Sequence, residues 1–227
     1  RLYEEFIPEH YSVQWDLTAA AERNVTGNVT ITGEQIASDS IRLHAKDLII
    51  ANVTVNGESA HHEFGKDDTL VIDHEGAGAV EVHIEFSLSL TDSMHGIYPC
   101  YFEHEGKKKQ LYATQFESHH AREAFPCVDE PEAKATFDVS IVTTEDTQVL
   151  SNMPAASTMK SDRGRLTTFE RTPRMSSYLV AFVVGELHKK TATTKSGVEV
   201  NVWATPAQRP EALEFSLDHA VKSIELF

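Results

Sequence analysis

Residues 80–90 read Val80-Glu81-Val82-His83-Ile84-Glu85-Phe86-Ser87-Leu88-Ser89-Leu90, so that apolar and polar side chains alternate without a break. In an extended chain successive side chains point to opposite faces. The stretch therefore predicts a β-strand with one buried face and one solvated face. It is the clearest secondary-structure pattern in the sequence, and it indicates the fold class.

The same two-residue period recurs along the chain, at Tyr11-Val13-Trp15-Leu17, Val29-Ile31, Phe137-Val139-Ile141 and Val198-Val200-Val202. Residues 178–184 are apolar throughout, which predicts a central strand buried on both faces. Turn-forming residues separate these stretches, at Asn56-Gly57, Gly76-Ala77-Gly78, Asp162-Arg163-Gly164 and Lys195-Ser196-Gly197. Many short strands at this spacing predict an all-β domain of packed antiparallel β-sheets, arranged as a sandwich or a saddle.

The pattern changes near the end of the sequence. Leu213, Leu217, Ala220, Ile224 and Phe227 recur every three or four residues after Pro210. This spacing predicts an amphipathic helix with proline near its first turn. We therefore expect a β domain over residues 1–206, followed over residues 207–227 by a linker and the start of a helix. Because the apolar stripe still runs at Phe227, the helix is expected to lead into a further domain.

Composition limits the classes of partner. The 227 residues are 41% hydrophobic and 24% charged, which is typical of a globular protein with a core of its own. Acidic residues outnumber basic ones by 35 to 20, giving a formal net charge of -15. This charge repels phosphate backbones and anionic lipid headgroups, so we expect neither nucleic acid nor membrane as a partner.

The cysteines and the hydropathy indicate the compartment. Cys100 and Cys127 are too few for a disulfide framework and show no C-x-x-C spacing, so both are expected to be buried thiols. No apolar run approaches the roughly 18 residues that cross a bilayer, and the first residues do not form a secretory signal. A cytoplasmic location is the resulting expectation.

Residues 114–137 carry the strongest functional signal: Thr-Gln-Phe-Glu-Ser-His-His-Ala-Arg-Glu-Ala-Phe-Pro-Cys-Val-Asp-Glu-Pro-Glu-Ala-Lys-Ala-Thr-Phe. If the first four residues are extended, Gln115 and Glu117 project from one face and Phe116 from the other. A carboxylate beside an amide oxygen could receive a free α-amine, which has a reference pKa of about 7.7–8.0 and is largely cationic at neutral pH. From spacing alone, ordinary exposed strand residues are the simpler alternative.

This segment closely resembles the amino-terminal domain of the zinc aminopeptidases of the aminopeptidase N family. The resemblance rests on Gln115 and Glu117 followed in order by Ala121-Arg122, Phe125-Pro126-Cys127, Asp129-Glu130-Pro131, Lys134 and Phe137. Residues 151–154, 175–186 and 198–206 also look like this family, in the family's order. The resemblance implies that Gln115 and Glu117 bind the substrate's amino group in a site completed by a neighbouring catalytic domain. It also implies a cis peptide bond between Glu117 and Ser118.

The family resemblance implies a catalytic zinc in a thermolysin-like domain, held by H-E-x-x-H and a distal Glu beside a G-A-M-E-N substrate loop. Neither motif occurs in the 227 residues. We therefore expect no catalytic residue in this chain, and inactivity when it stands alone. No metal site is predicted either, since His61-His62-Glu63, His119-His120 and Phe102-Glu103-His104-Glu105 lack a helical i, i+4 histidine pair. Vicinal histidines on a strand would point to opposite faces.

Other residues of the central segment are expected to have architectural roles. Arg122 is expected to form buried ion pairs with Asp129 and Glu130, because buried charges require partners. The run Lys107-Lys108-Lys109 follows Gly106 and is expected to be a solvated turn.

Two alternatives to the aminopeptidase domain remain at this point. Aminopeptidase-like architecture also occurs in non-catalytic interaction or scaffold modules, although the presence of both Gln115 and Glu117 argues against that reading. A carbohydrate-binding sandwich would rest on fold analogy alone, and the sequence shows no exposed aromatic platform for it.

Overall fold

The computed structural model describes residues 1–144 and 147–227, and of residues 37 and 38 the backbone only. Fifteen strands form within this described part, and in chain order they are β1 Phe6–Asp16, β2 Asn24–His44, β3 Leu48–Val55, β4 Glu58–Ser59, β5 His62–Phe64, β6 Thr69–Ser89, β7 Gly96–His104, β8 Lys107–Gln115, β9 Thr136–Thr143, β10 Gln148–Ser151, β11 Ala155–Ser161, β12 Gly164–Phe169, β13 Phe182–Gly185, β14 His188–Thr193 and β15 Glu199–Ala204. An α-helix, α1, spans Leu213–Leu226. Short 3-10 helices form at Leu2–Glu4, Ala20–Glu22, Ala121–Glu123, Ser177–Leu179 and Pro210–Ala212.

The described strands form three sheets. The large sheet has the order β11-β12-β9-β1-β2-β6-β3-β4, with β5 also paired to β6. The second sheet has the order β10-β13-β8-β7, and β14 pairs with β15. Neighbouring strands are antiparallel except for β1 and β9, which are parallel with Tyr11 opposite Phe137. The predicted all-β class is confirmed, and the parallel pair is an addition to the antiparallel arrangement expected.

Strand β6 behaves as its alternation predicts. Val80, Val82 and Ile84 are buried, and they alternate with more exposed polar residues. The predicted turn at residues 76–78 is wrong, because these residues lie inside β6. Gly76 and Gly78 have φ angles of 145° and 106°, and they face the region where the register between β2 and β6 shifts. The glycines therefore accommodate an irregularity in a continuous strand rather than a chain reversal.

Aromatic side chains join the large sheet to the second sheet. Trp15 of β1 packs against Phe182 of β13 with ring centroids 5.1 Å apart. Tyr11 stacks on Phe137 at 4.9 Å, and Phe125 presents an edge to Trp15 at 5.6 Å. All five rings are buried. Residues 121–128 thus contribute to the core between the sheets, although they belong to no strand.

The apolar run at residues 178–184 forms a shorter strand than predicted. Strand β13 does lie between β10 and β8, but it begins only at Phe182. Before it, the Asn152 side chain donates to the Leu179 carbonyl (2.8 Å) and accepts from the Ala181 amide (2.9 Å). These backbone groups are therefore satisfied by a side chain instead of a neighbouring strand, and Leu179 is 47% exposed.

The lysine run is also not a turn. Lys107, Lys108 and Lys109 begin β8, and the reversal from β7 occurs at Glu105 and Gly106, whose φ angles are 51° and 70°. The hairpin is tight because both residues adopt the left-handed conformation that two-residue hairpin turns require.

The predicted C-terminal helix is confirmed, with a 3-10 turn at Pro210–Ala212 leading into α1. The helix lies against β14 and β15. Lys190 pairs with Glu214 at 2.5 Å, and the Lys195 amide donates to Glu225 at 2.9 Å. The apolar stripe is buried mainly at its start, because Leu213 is buried whereas Ile224 and Phe227 are exposed. Among the described residues, no helix has both the length and the apolar character needed to cross a membrane.

Candidate functional site

Gln115 and Glu117 lie where β8 ends. The strand stops at Gln115, so Glu117 lies two residues beyond it. Gln115 and Glu117 are exposed and Phe116 between them is buried, as the alternation predicts. The Gln115 Nε2 atom lies 3.4 Å from the Glu117 carbonyl oxygen. The expected cis peptide bond between Glu117 and Ser118 is present.

After Ser118 the chain turns back onto the core. The His120 amide donates to the Phe116 carbonyl at 2.8 Å, and the 3-10 helix Ala121–Glu123 follows. Two side chains of β1 then hold the segment: Trp15 Nε1 donates to the Ala124 carbonyl at 2.9 Å, and the Tyr11 hydroxyl accepts from the Val128 amide at 3.1 Å. The site therefore rests on the large sheet as well as on β8.

The expected ion pair of Arg122 with Asp129 is present. Arg122 Nε donates to Asp129 Oδ2 at 3.0 Å, and the Asp129 side chain is fully buried. Its other oxygen accepts from the Ser177 hydroxyl at 2.8 Å. Among the residues that the structure describes, the expected ion pair between Arg122 and Glu130 is not observed. The Glu130 carboxylate instead accepts hydrogen bonds from the backbone amides of Leu2 and Tyr3, at 2.9 and 3.2 Å. Glu130 therefore fastens the first residues of the chain instead of pairing with Arg122.

His44 belongs to the same buried network. Its Nδ1 atom accepts a hydrogen bond from the Asp129 amide at 3.1 Å. Burial lowers the pKa of His44, the charge of Arg122 lowers it further, and nearby carboxylates only partly oppose these effects. An uncharged imidazole thus stabilises the backbone of the segment.

A cluster of two histidines and a glutamate lies next to this segment. Glu123 Oε2 is 2.5 Å from His95 Nδ1, and Glu123 Oε1 is 3.1 Å from His120 Nδ1 and 3.0 Å from Lys46 Nζ. The His95 and His120 rings stack with centroids 4.2 Å apart. Burial raises the pKa of Glu123, but hydrogen bonds from Lys46, His120 and His95 outweigh it, so that this pKa is lowered overall.

Sequence reasoning missed this cluster. His119 and His120 were expected to point to opposite faces, but their rings stack at 4.7 Å because residues 117–120 form a turn rather than a strand. His95 lies immediately before β7, and the β7–β8 hairpin pairs Gly96 with Gln115. A signal was available, since a hairpin centred on Gly106 places His95 beside residue 116. The spacing of the histidines alone could not show it.

The cysteines offer no nucleophile. Cys127 is buried, as expected, whereas Cys100 is only half-buried. Burial raises the pKa of both thiols, most strongly that of Cys127, so neither is a thiolate near neutral pH. The exposed polar residues at this end of β8 are Gln115 and Glu117, with Ser118 and His119 directly after them.

The fold and this segment are those of the amino-terminal domain of an M1 peptidase. The family model of the peptidase M1 N-terminal domain matches residues 7–179, which is most of the chain, so the chain belongs to this family. The resemblance found in the sequence is thereby confirmed.

Several curated aminopeptidases are similar to this chain over most or all of its length. The chain is 48% identical over 231 residues to aminopeptidase N of Lactococcus lactis subsp. lactis, a match that covers 100% of this chain and 27% of the relative. It is 44% identical over 230 residues to aminopeptidase N of Lactobacillus helveticus, with 100% and 27% covered. Identity to the puromycin-sensitive aminopeptidase of Caenorhabditis elegans is 37% over 236 residues, with 97% and 24% covered. The chain thus spans about a quarter of the length of these curated relatives.

Proposed function

We propose that this chain is the amine-recognition domain of a zinc aminopeptidase, and that Gln115 and Glu117 hold the free α-amino group of a peptide substrate. The observation that carries the proposal is the exposed amide and carboxylate at the end of β8, on either side of a buried Phe116. The matches to aminopeptidases over the whole chain support it.

The chemistry of the pair suits a protonated amine. An α-ammonium group has three hydrogens to donate, and both the Glu117 carboxylate and the Gln115 amide oxygen are acceptors. The Gln115 nitrogen already lies near the Glu117 carbonyl oxygen, so the amide oxygen is the part that can face a ligand. A hydrogen bond between charged groups contributes about 1.5–3 kcal/mol. Glu117 would therefore favour a free amine over a blocked one by about tenfold to over a hundredfold.

The catalytic zinc would be held outside these 227 residues, which contain no H-E-x-x-H. When bound there, zinc would polarise the water that attacks the peptide bond. The residues of this chain would bind the amino terminus and fix its distance from that centre, so that one residue is removed at a time. In this arrangement residues 1–206 form the β domain, and residues 207–227 lead into the zinc domain of the same protein.

A cytoplasmic location is part of the same proposal. Cys100 and Cys127 are both free thiols. Free thiols persist in reducing compartments, whereas secreted proteins usually carry disulfides.

The test uses the full-length protein with its zinc domain. We expect Glu117→Ala to lower kcat/KM for an amino-acid anilide by about tenfold to over a hundredfold, mainly through KM, because a charged hydrogen bond to the substrate is lost. Glu103→Ala is the matched control, since Glu103 is an exposed glutamate on β7 of the same sheet. Unchanged kinetics in Glu117→Ala would overturn the assignment. A wild-type protein that binds zinc but cleaves no peptide would favour the non-catalytic module instead.

A further inference from the structure

His95, His120 and Glu123 bring three metal-ligand atoms close together. The two imidazole Nδ1 atoms approach opposite oxygens of the Glu123 carboxylate, at 2.5 and 3.1 Å, and all three ligand atoms lie within 4.8 Å of one another. Zinc bonds of about 2.0–2.2 Å place the ligands of a tetrahedral site about 3.4 Å apart. Shifts of about 1 Å, well within the reach of side-chain rotation, would bring these atoms to that spacing.

We propose that His95, His120 and Glu123 form a binding site for a divalent transition-metal ion such as Zn²⁺. Two imidazoles and one carboxylate are a ligand set that zinc uses in proteins, with water in the fourth position. The exposed fractions of the His95, His120 and Glu123 side chains are 36%, 21% and 11%, so an ion can reach the cluster from solvent while most of its surroundings are protein. In the bound state each imidazole offers Nδ1 as an unprotonated ligand and carries its proton on Nε2.

The backbone next to the cluster packs closely against Glu123. Gly96 follows His95 directly and has a φ angle of 65°, a conformation that favours glycine. A Cβ atom at this position would lie 3.3 Å from the Glu123 Cβ and 3.4 Å from its Oε2. Glycine therefore lets β7 begin close against the carboxylate. The 3-10 helix Ala121–Glu123 presents Glu123 from the other side, next to His120.

Replacing Lys46 can distinguish a metal-binding site from a cluster of ion pairs that only stabilises the fold. Its ammonium group lies 3.0 Å from Glu123 Oε1, where it would compete with a metal ion for the carboxylate. The Lys46 side chain is 38% exposed and flexible, so it can move into solvent when a metal binds. Removing its charge should strengthen metal binding. In a structural cluster the same change would only remove a stabilising contact.

The experiment titrates Zn²⁺ into the metal-free 227-residue chain by isothermal calorimetry and follows Co²⁺ binding by visible absorption. We expect saturable binding of about one ion per chain, weakened by at least about tenfold in His95→Asn, His120→Asn and Glu123→Gln, because each loses a direct ligand. Lys46→Gln should bind Zn²⁺ more tightly than the wild type. His61→Asn is the control, since His61 lies on the surface 3.2 Å from Asp73 and, within the described part of the chain, belongs to no group of three metal-ligand residues.

Far-UV circular dichroism and thermal melting of each variant without metal show whether it folds. The asparagine and glutamine substitutions keep polar groups of similar size, so that folded variants remain for the titration. The proposal is overturned if the wild-type chain shows no saturable Zn²⁺ binding. It is also overturned if folded His95→Asn and His120→Asn bind as the wild type does, or if Lys46→Gln weakens binding. These results do not depend on peptidase activity, so they leave the role of Gln115 and Glu117 untouched.

Discussion

The side-chain amide of Gln115 lies 3.4 Å from the main-chain carbonyl of Glu117, the residue whose carboxylate shares its exposed side of the chain. The Gln115 amide nitrogen is the donor in this contact, so the amide oxygen stays available as an acceptor, two residues from the Glu117 carboxylate. Phe116 between them is 2% exposed and fixes the chain against the core. This arrangement presents two polar side chains beside a buried one, and the proposed function gives Gln115 and Glu117 unequal roles.

Gln115→Ala in the full-length protein should reduce kcat/KM for an amino-acid anilide by about tenfold, the lower end of the effect of a hydrogen bond to a charged group (about 1.5–3 kcal/mol), because its amide oxygen is itself uncharged. This loss is smaller than the one expected for Glu117→Ala. The double variant should lose less than the product of the two single effects, since both residues would contact the same amine. Steady-state kinetics measure all three, with Gln148→Ala, at an exposed glutamine on β10, as the control. A Gln115→Ala enzyme as active as the wild type would contradict this role.

Asp129→Ala should lower the free energy of unfolding of the chain by about 3 kcal/mol, because it removes the closer carboxylate partner of the largely buried Arg122 and leaves only Asp68, whose carboxylate lies 3.8 Å away. The change also removes the acceptor of the Ser177 hydroxyl. Urea denaturation followed by tryptophan fluorescence measures the loss. Asp92→Ala breaks the exposed pair with Arg23 and should have little effect. Equal stability of the two variants would show that the buried pair is not what holds residues 121–129.

The stability of the chain should decrease between pH 7 and pH 5 partly because of His44. Burial lowers the pKa of His44 in the folded chain below its ordinary value of 6.5, with the charge of Arg122 acting in the same direction. Below pH 6.5 the unfolded chain therefore binds a proton that the folded chain does not, and the free energy of unfolding falls as the pH falls.

His44→Asn keeps an acceptor near the Asp129 amide but cannot titrate, so its stability should depend less on pH in this range. Urea unfolding of both proteins at pH 7, 6 and 5 gives the comparison. The same pH dependence in both would rule out His44 as the source.

Much of the fold could be predicted because every second side chain along a strand is apolar and buried. Val82 and Ile84 on β6 follow this rule because one face of the strand is core and the other is solvent. The rule fails where a side chain replaces a strand as the backbone's partner, as Asn152 does at Leu179 and Ala181. The turn predicted at residues 76–78 is wrong for a related reason. Gly76 lies where the register between β2 and β6 shifts, and these strands are far apart in sequence.

The candidate site also contains residues that were predicted from the sequence and residues that were not. Gln115 and Glu117 could be proposed from sequence only through the family resemblance, because a two-residue spacing alone is equally that of ordinary exposed strand residues. The cluster of His95, His120 and Glu123 was missed because residue spacing alone does not show it; the cluster depends on the β7–β8 hairpin register and on a turn after residue 117. The periodicity of apolar residues along one strand predicts neither the hairpin register nor this turn. The metal-ligand arrangement is a tertiary property of residues that look unrelated in the sequence.

Phe116 offers a test of whether the buried residue positions the exposed ones. Phe116→Ala should cost about 3–5 kcal/mol of stability, since it opens a cavity under the site. The milder Phe116→Leu keeps most of the apolar volume, so the full-length enzyme should fold but hold Glu117 less firmly. Its KM should therefore rise while kcat changes less, because binding of the amine is affected more than the chemical step.

Phe86→Leu is the matched control, because Phe86 is 3% exposed on β6 and lies outside the site segment. Both leucine variants lose a buried ring, so thermal melting should show comparable losses of stability. Kinetics are measured at a temperature at which both are folded. A rise in KM in Phe116→Leu alone would show that the buried ring acts by positioning Gln115 and Glu117. An equal rise in both variants would instead attribute the effect to general loosening of the core and contradict the positioning role.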